Sequence, residues 1–379
     1  MKYAARLRSA APRVAWLCGD GIGHEVLEAT RSVLDAAGVD LEYMPADIGW
    51  RFWCEEGDAL PLRTLAVIAA TDCALFGAIT SKPAAEAAAE LTPRLHETGL
   101  AYRSPIVRLR QMLDLFANVR PAAAHPHSPR GVENLVVFRE NTEGLYAGIE
   151  IYPTSQELLR AIDSDGVLAR YRELPDDQVA LSVRVVSSPA CERIVRAAFE
   201  FAKANGRRRV TVVEKPNVLK ATGGLMIECA RRVAAEFSSV EFQIANIDTA
   251  CMDLVRKPRE FDVIVAENLF GDILSDLVAG LAGGPGLAPS ANIGDRYAIF
   301  EPVHGSAPDI AGRGIANPCA AVLSAAMMLD WLGDGSNAAR LRRAVHTTLD
   351  ERLVRTADLG GVSTTKQMAS AIAEAVSRL

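Results

Sequence analysis

No run of apolar residues in this 379-residue chain approaches the roughly 20 needed to cross a bilayer as a helix. A helical membrane span is therefore excluded. A basic excess is missing as well: 41 Lys and Arg stand against 47 Asp and Glu, a net charge of −6. Without that excess the chain lacks the electrostatic footprint of a phosphate-backbone reader, so nucleic acid is not expected as a partner. Cysteine is sparse, with seven residues at 18, 54, 73, 191, 229, 251 and 319, and none forms a C-x-x-C pair. No His lies at zinc-ligand spacing from them either. Scattered single cysteines of this kind read as small buried hydrophobes in a reducing compartment, and the cytoplasm is the expected location. Glycine periodicity and polar low-complexity tracts are also lacking, which removes collagen-like and disordered classes. What is present is 49% hydrophobic and 23% charged residues, enough for one very large domain or two medium ones. The leader MKYAARLRSAAP carries Lys2, Arg6 and Arg8 without an acid, but it has no apolar stretch of the secretory type. It reads as a short, poorly ordered start.

Along the chain, strand-like and helix-like segments alternate. Val14 to Cys18 is an apolar run ending in GDGIG, and HEVLEATRSVLDAAG follows with helical spacing to a glycine stop at Gly38. LEYMPADIG, CALFGAI, LVVFRE, VALSVRVVS, RVTVVEK, FQIANI and FDVIVAE read as further strands. An Ala-rich segment, ERIVRAAFEFAKAN and LMIECARRVAAEF read as helices between them. This alternation predicts α/β architecture with substantial parallel sheet. Two breaks are expected, AAAHPHSPRG near 122–131 and GLAGGPGLAPSANIG near 280–294. If both carry the chain between lobes, the domains are discontinuous.

GDGIG places Gly19, Gly21 and Gly23 as G-x-G-x-G, not the G-x-G-x-x-G of a dinucleotide fingerprint, and no acidic residue clearly ends a second strand. A turn of this type is as readily steric as functional. Stronger signals lie downstream. RLRQMLDLFANVRP brings Arg108, Arg110 and Arg120 together, and VVFRENTEGLYAG adds Arg139 and Tyr146. Arginines on successive elements beside apolar runs suit bidentate clamps for carboxylates, or an ion-pair network with the chain's own acids. In ENLFGDILSDLVAG, Asp272 and Asp276 stand at i, i+4 on one helical face among Phe270, Ile273, Leu274 and Leu277. Hard oxygen ligands at that spacing suit Mg²⁺ or Mn²⁺.

GDGIGHEV, LDLFANVRP, FRENTEGLYAGIE, EKPNVLK, ENLFGDILSDL and EPVHGSAPDIAGRGIANP together resemble the β-decarboxylating dehydrogenase family of isocitrate, homoisocitrate and 3-isopropylmalate dehydrogenases. The resemblance covers nearly the whole chain. It implies a two-lobed α/β fold with discontinuous domains rather than a Rossmann fold, one lobe being 1–115 with 284–379 and the other 116–283. It implies that Arg110, Arg120 and Arg139 hold malate carboxylates, that Tyr146 is the general acid at the carbon losing CO₂, and that Lys215 and Asp248 come from a neighbouring subunit. Asp248, Asp272 and Asp276 would form the metal site for Mg²⁺ or Mn²⁺. His304, Gly305, Ser306, Ala307, Asp309, Ile310 and Asn317 would form the cofactor loop. NAD is expected rather than NADP, because the Asp309 carboxylate suits two ribose hydroxyls and repels a 2′-phosphate. IYPTSQELLRAIDSDGVLARYRELPDDQ lies where relatives build an intersubunit arm, so a homodimer with shared sites is expected.

The substrate is the finer question. Ser104, six residues before Arg110, matches the serine that bonds the distal carboxylate in isocitrate enzymes. Ile106 stands where asparagine is expected, and with Val107 it makes an apolar pair suited to an alkyl substituent. Arg103 and Arg108 flank the pair and would reach a longer or doubly charged group. An apolar substituent gains only about 1–3 kcal/mol from a small pocket, whereas a desolvated arginine without a partner is penalised. Isocitrate or homoisocitrate is therefore expected, with 3-isopropylmalate or an unusual acidic analogue as alternatives. A non-catalytic regulatory subunit is a further alternative, disfavoured because each arginine, Tyr146, Lys215 and each metal aspartate is present.

Overall fold

The computed structural model describes residues 11–123, 132 and 134–379. The start of the leader and most of the break expected at 122–131 lie outside them. β1 (Arg13–Gly19) and α1 (Gly23–Ala36) open the fold, followed by β2 (Glu42–Pro45), α2 (Trp50–Glu56), α3 (Leu62–Ala69), β3 (Cys73–Ala78), α4 (Ala84–Ala89) and α5 (Pro105–Met112). Next come β4 (Ala117–Ala122), β5 (Leu135–Glu140), β6 (Gly144–Ile151), α6 (Gln156–Ile162), β7 (Leu181–Val185), α7 (Ser188–Ala204), β8 (Arg209–Glu214) and α8 (Thr222–Ala234). β9 (Glu241–Asn246), α9 (Ile247–Arg256), β10 (Val263–Ala266), α10 (Asn268–Ala282), β11 (Pro289–Ile293) and β12 (Ala298–Pro302) follow. α11 (Cys319–Leu332), α12 (Gly335–Glu351) and α13 (Thr365–Ser377) close the chain. Among the described residues no helix is long and apolar enough to cross a membrane.

Ten strands form one mixed sheet in the order β2-β1-β3-β12-β11-β4-β5-β10-β8-β9. β2, β1, β3 and β12 run parallel to one another, as do β5, β10, β8 and β9. β11 and β4 join the two groups through antiparallel pairs, so the groups run in opposite directions. The expected alternation of strands and helices and the parallel sheet are therefore present. The break read at 280–294 is shorter than expected: 283–288 connect α10 to β11, but 289–293 form β11, a wholly buried strand at the centre of the sheet. Its Pro and small polar residues hide it from any apolar pattern, and Gly283 (φ +119°) ends α10 just before it.

Side-chain alternation along the central strands places the site. Ala117, Val119, Phe138, Ala291, Ile293 and Phe300 point into one continuous apolar cluster under α1, α7, α8 and α11–α13. Their neighbours Asn118, Arg120, Arg139, Asn292 and Glu301 therefore point to the opposite face. There the apolar packing divides into one cluster around Leu17, Phe76, Leu109 and Ile299 and another around Leu135, Ile264, Leu274 and Val278. The polar row lies where these two part. β6 and β7 form a separate antiparallel ribbon on which Ile149, Val183 and Val185 are exposed.

Candidate active site

The glycine turn after β1 is built by backbone contact. A Cβ on Gly19 (φ +71°) would lie 1.9 Å from the Ala78 carbonyl oxygen, and one on Gly21 (φ +52°) 2.1 Å from that of Ser306. Steric need accounts for these residues, and the turn serves to dock β1 and α1 against the 304–306 loop. Asp20 fastens the same junction, accepting from the Trp50 N–H at 2.7 Å and the Thr80 N–H at 2.9 Å. The Thr80 and Ser306 hydroxyls are 2.6 Å apart.

At the sheet centre three buried arginines converge on acids. Arg110, on the last turn of α5, donates to Glu301 at 3.0 Å. Arg120 on β4 donates through Nε to Asn118 at 2.6 Å and through Nη1 to Ser275 and Asp276 at 2.8 and 3.0 Å, and its Nη2 is 3.3 Å from Asp272. Arg139 on β5 donates to Asn268 at 2.9 Å and pairs closely with Asp272. Its guanidinium lies 4.9 Å from the Tyr146 ring centre, and the Tyr146 hydroxyl donates to the other oxygen of Asp272 at 2.7 Å. Asp272 and Asp276 do share one face of α10, as their spacing predicts, and Arg120 touches both. The two readings of the arginines merge, since the ion-pair partners of Arg120 and Arg139 are the site's own aspartates. Among the described residues, Arg110 Nε and Arg139 Nη2 are buried without a hydrogen-bond partner, donors available to a ligand.

Charge proximity sets the protonation of these groups. Burial and the neighbouring Arg110 and Arg120 pull Arg139 down to about 10, and burial lowers Arg120 as well. Burial alone would raise Asp272, but Arg139, Arg120 and the Tyr146 hydroxyl hold it below the ordinary carboxylate range. Partial desolvation by the surrounding protein, with Asp272 nearby, pushes the largely exposed Asp276 up, against the pull of Arg120. Burial and the bond to Asp272 raise Tyr146, keeping its proton in place near neutral pH.

Sequence reasoning missed Asn118, Asn268, Asn292, Ser275 and Glu301. Asn292 donates to Glu301 at 2.7 Å and accepts from Asn118 and Asn141 at 2.9 and 3.0 Å, tying β4, β11, β12 and the residue just past β5 together beneath the arginines. Most of these residues stand inside the quoted motifs, but their partners lie on distant strands, so spacing carried no signal.

Lys215 lies just past β8 and pairs with Asp248 on α9 at 2.7 Å, and that bond lowers the aspartate's pKa. The Asp248 side chain is 63% exposed. Among the described residues no group of three or more His, Cys, Asp or Glu is close enough to hold a metal, so one chain does not bring Asp248 to Asp272 and Asp276. The two α10 aspartates nonetheless fit a hard cation: both are oxygen donors, and the Asp276 side chain is 66% exposed.

The 304–317 segment forms a loop along the ends of β3 and β12. His304 Nδ1 contacts the Gly305 carbonyl at 3.0 Å, and burial lowers its pKa, leaving the ring neutral near pH 7. Ala307 has φ +39°, and the Ile310 N–H bonds the Ala307 carbonyl at 3.1 Å in a turn that leaves Asp309 exposed. Asn317 donates to Asp358 at 2.9 Å and accepts from the Cys319 N–H at 3.0 Å.

Ser104 is the N-cap of α5, and its side chain makes no capping hydrogen bond. Arg108 departs from the expectation: it pairs closely with Asp58, part-buried, and so is not an unpartnered guanidinium waiting for an acidic substituent. Arg103 is exposed. Ile79 and Ile106 line a cavity of 140 Å³ together with Arg110, Arg120, Glu301 and His304.

Comparison with known proteins agrees with this geometry. The sequence matches the family model "Isocitrate/isopropylmalate dehydrogenase" over residues 13–376. It is 46% identical over 371 residues to an isocitrate/homoisocitrate dehydrogenase of Thermus thermophilus, covering 97% of this chain and 100% of that protein. A 3-isopropylmalate dehydrogenase of Archaeoglobus fulgidus is 42% identical over 367 residues, covering 95% of this chain and 98% of that protein. The solved isocitrate dehydrogenase of Methylococcus capsulatus superimposes with a TM-score of 0.84 at 40% identity, covering 97% of this chain and 99% of that one. By sequence, fold and the convergence of arginines, tyrosine and aspartates, the chain belongs to the isocitrate/isopropylmalate dehydrogenase family of oxidatively decarboxylating enzymes.

Proposed function

We propose that this protein is an NAD-dependent enzyme that oxidatively decarboxylates a 3-substituted malate, isocitrate or homoisocitrate first, as a homodimer with shared active sites. The observation that carries the reading is the meeting of Arg139, Arg120 and Tyr146 on Asp272. Carboxylate clamps, a protonated acid and a hard cation ligand thereby share one point. Arg110, Arg120 and Arg139 bind and orient the substrate carboxylates. Lys215 and Asp248 of a second copy take the proton from the substrate hydroxyl. Tyr146, held by Asp272, returns a proton to the carbon that loses CO₂. A divalent cation held by Asp272, Asp276 and the Asp248 of a second copy supplies charge stabilisation to the substrate's oxygens. The nicotinamide dinucleotide supplies the hydride acceptor.

Sharing between subunits is supported by the exposure of Asp248 and by exposed Met252 and Ile273 on the neighbouring α9 and α10. Exposed Asp309 supports NAD, since a carboxylate there opposes a 2′-phosphate. The acidic substituent is supported by the uncapped Ser104 hydroxyl and by similarity to the Thermus enzyme; with Arg108 engaged by Asp58, it no longer rests on that arginine. One observation favours a second reading, 3-isopropylmalate: the Ile79 and Ile106 wall beside Arg110. NAD⁺ reduction by the purified chain alone, with Mg²⁺ and Mn²⁺ tested separately, decides. The expected result is a higher kcat/KM for isocitrate or homoisocitrate, and a value higher for 3-isopropylmalate than for both overturns the assignment. An inactive chain that gains activity only with a second polypeptide would make it a regulatory subunit.

A further inference from the structure

One buried ionic cluster lies outside the residues assigned above. Arg184 on β7 pairs closely with Glu214, the last residue of β8, and its Nε stands 3.6 Å from Glu267, the N-cap of α10. Its Nη1 donates to Thr222 at 3.2 Å at the start of α8, and the guanidinium lies 5.3 Å from the Phe270 ring centre. Glu214 is fully buried and Glu267 is 4% exposed. Each glutamate has a second task. Glu214 accepts from the Lys215 N–H at 2.7 Å, and Glu267 accepts from the Phe270 N–H at 2.9 Å, closing the first turn of α10. The fit is close on both sides: a Cβ on Gly223 would stand 2.8 Å from Glu214, and one on Gly144 2.7 Å from Glu267.

We propose that Arg184 is a positioning residue that clamps the Lys215 segment to the helix carrying Asp272 and Asp276. The guanidinium thus links the segments that carry the proton acceptor and the metal aspartates, and it does so from a strand paired with β6, the strand of Tyr146. The inference rests on the proposed function. If Lys215 serves the site of a second copy while Asp272 serves its own, Arg184 also ties the two sites of a dimer together. Two buried carboxylates around one arginine form a rigid arrangement only while the arginine is present, because an uncompensated buried charge is driven to protonate or move.

The test compares Arg184→Gln and Arg184→Lys with the double variant Arg184→Gln with Glu214→Gln, which lowers the buried negative charge should the single variant fail to fold. For Arg184→Gln the expected result is a kcat reduced at least tenfold, substrate and NAD⁺ KM values within about threefold of wild type, and a displaced alkaline or acid limb of the pH–kcat profile. Arg184→Lys recovers part of kcat, and the double variant stays slow. An activity-independent measurement accompanies these: the rate at which Lys215 is acylated by an amine-selective reagent, read by peptide mass spectrometry across pH. It is expected to change at least threefold in both glutamine variants. Unchanged Lys215 acylation with wild-type kcat in the folded double variant overturns the clamp. A wild-type chain that oxidises no 3-substituted malate overturns the proposed function instead, and the Lys215 measurement still decides whether Arg184 positions that segment.

Discussion

The arginine–aspartate centre and the Lys215–Asp248 pair are both sets of opposite charges, yet they are built in contrasting ways. In the centre, Arg139 is 1% exposed and Arg120 9%; Arg139 bonds to Asn268 and Asp272 on α10, and Arg120 to Asn118 on its own strand and to Ser275 and Asp276 on α10. The pair is a single contact on two separate elements, with side chains 23% and 63% exposed. Removing one member of a buried, hydrogen-bonded ion network costs on the order of 3–5 kcal/mol. An exposed pair contributes about 0–1 kcal/mol. Under the proposed function these are two kinds of residue: those the fold depends on, and those the fold carries to a place where a second copy would use them.

Breaking the centre gives the largest expected effect. Arg139→Met removes a proposed carboxylate clamp and leaves Asp272 with one fewer counter-charge. It is expected to lower kcat/KM by about 10³ or more and to reduce unfolding free energy on the order of 3 kcal/mol. Steady-state kinetics with urea denaturation reads both. A variant that loses activity at unchanged stability would show that the fold does not depend on Arg139.

Lys215→Ala probes the other side. Activity is expected to fall about 10²–10³-fold, while unfolding free energy stays within about 1 kcal/mol of wild type. Co-refolding this variant with Arg139→Met tests which subunit's site Lys215 serves. If the sites are shared as proposed, the subunit with intact Arg139 in a mixed dimer receives Lys215 from the other, restoring one site of two. A random equal mixture then recovers about a quarter of wild-type activity, given that half of the dimers are mixed. No recovery would place Lys215 in its own chain's site.

A third, smaller effect belongs to the 304–317 loop, the proposed cofactor site, where side chains decorate a backbone turn. Asp309→Lys replaces repulsion of a 2′-phosphate with attraction at an exposed position. The ratio of kcat/KM for NADP⁺ to that for NAD⁺ is expected to rise about 10-fold, because a solvent-exposed charge contributes only about 1 kcal/mol. Equal preference before and after the change would detach Asp309 from the cofactor.

Sequence pattern located the parts of the molecule whose logic is local. The i, i+4 aspartates of α10, the amphipathic helices and the β-branched strands follow from spacing that neighbours along the chain enforce. β11 escaped because a strand buried on both faces beside a polar network has no apolar alternation, and its Ser290 and Asn292 look like loop residues. The layer of Asn118, Asn292 and Glu301 escaped for a related reason: its hydrogen bonds join β4, β11 and β12, whose proximity exists only after the sheet forms. Arg184 is similar. A single arginine in a strand reads as a surface charge until Glu214 and Glu267 close around it.

Arg108 marks the smallest expected effect and the limit of reading charge from sequence. Two residues from Arg110, it differs from it in its surroundings: Arg110 is 7% exposed against Glu301, whereas Arg108 turns to Asp58 with a side chain 25% exposed. Helical geometry explains the divergence, since residues two apart on α5 face about 200° from one another. A part-exposed ion pair of this kind contributes about 0–1 kcal/mol, and its arginine is already neutralised before any substrate arrives. Arg108→Ala is therefore expected to shift unfolding free energy by no more than about 1 kcal/mol and to leave the ratio of kcat/KM among isocitrate, homoisocitrate and 3-isopropylmalate within about twofold. A selective loss of homoisocitrate turnover would show instead that the Asp58 pair opens to admit a longer acidic substituent, and would return Arg108 to the substrate site.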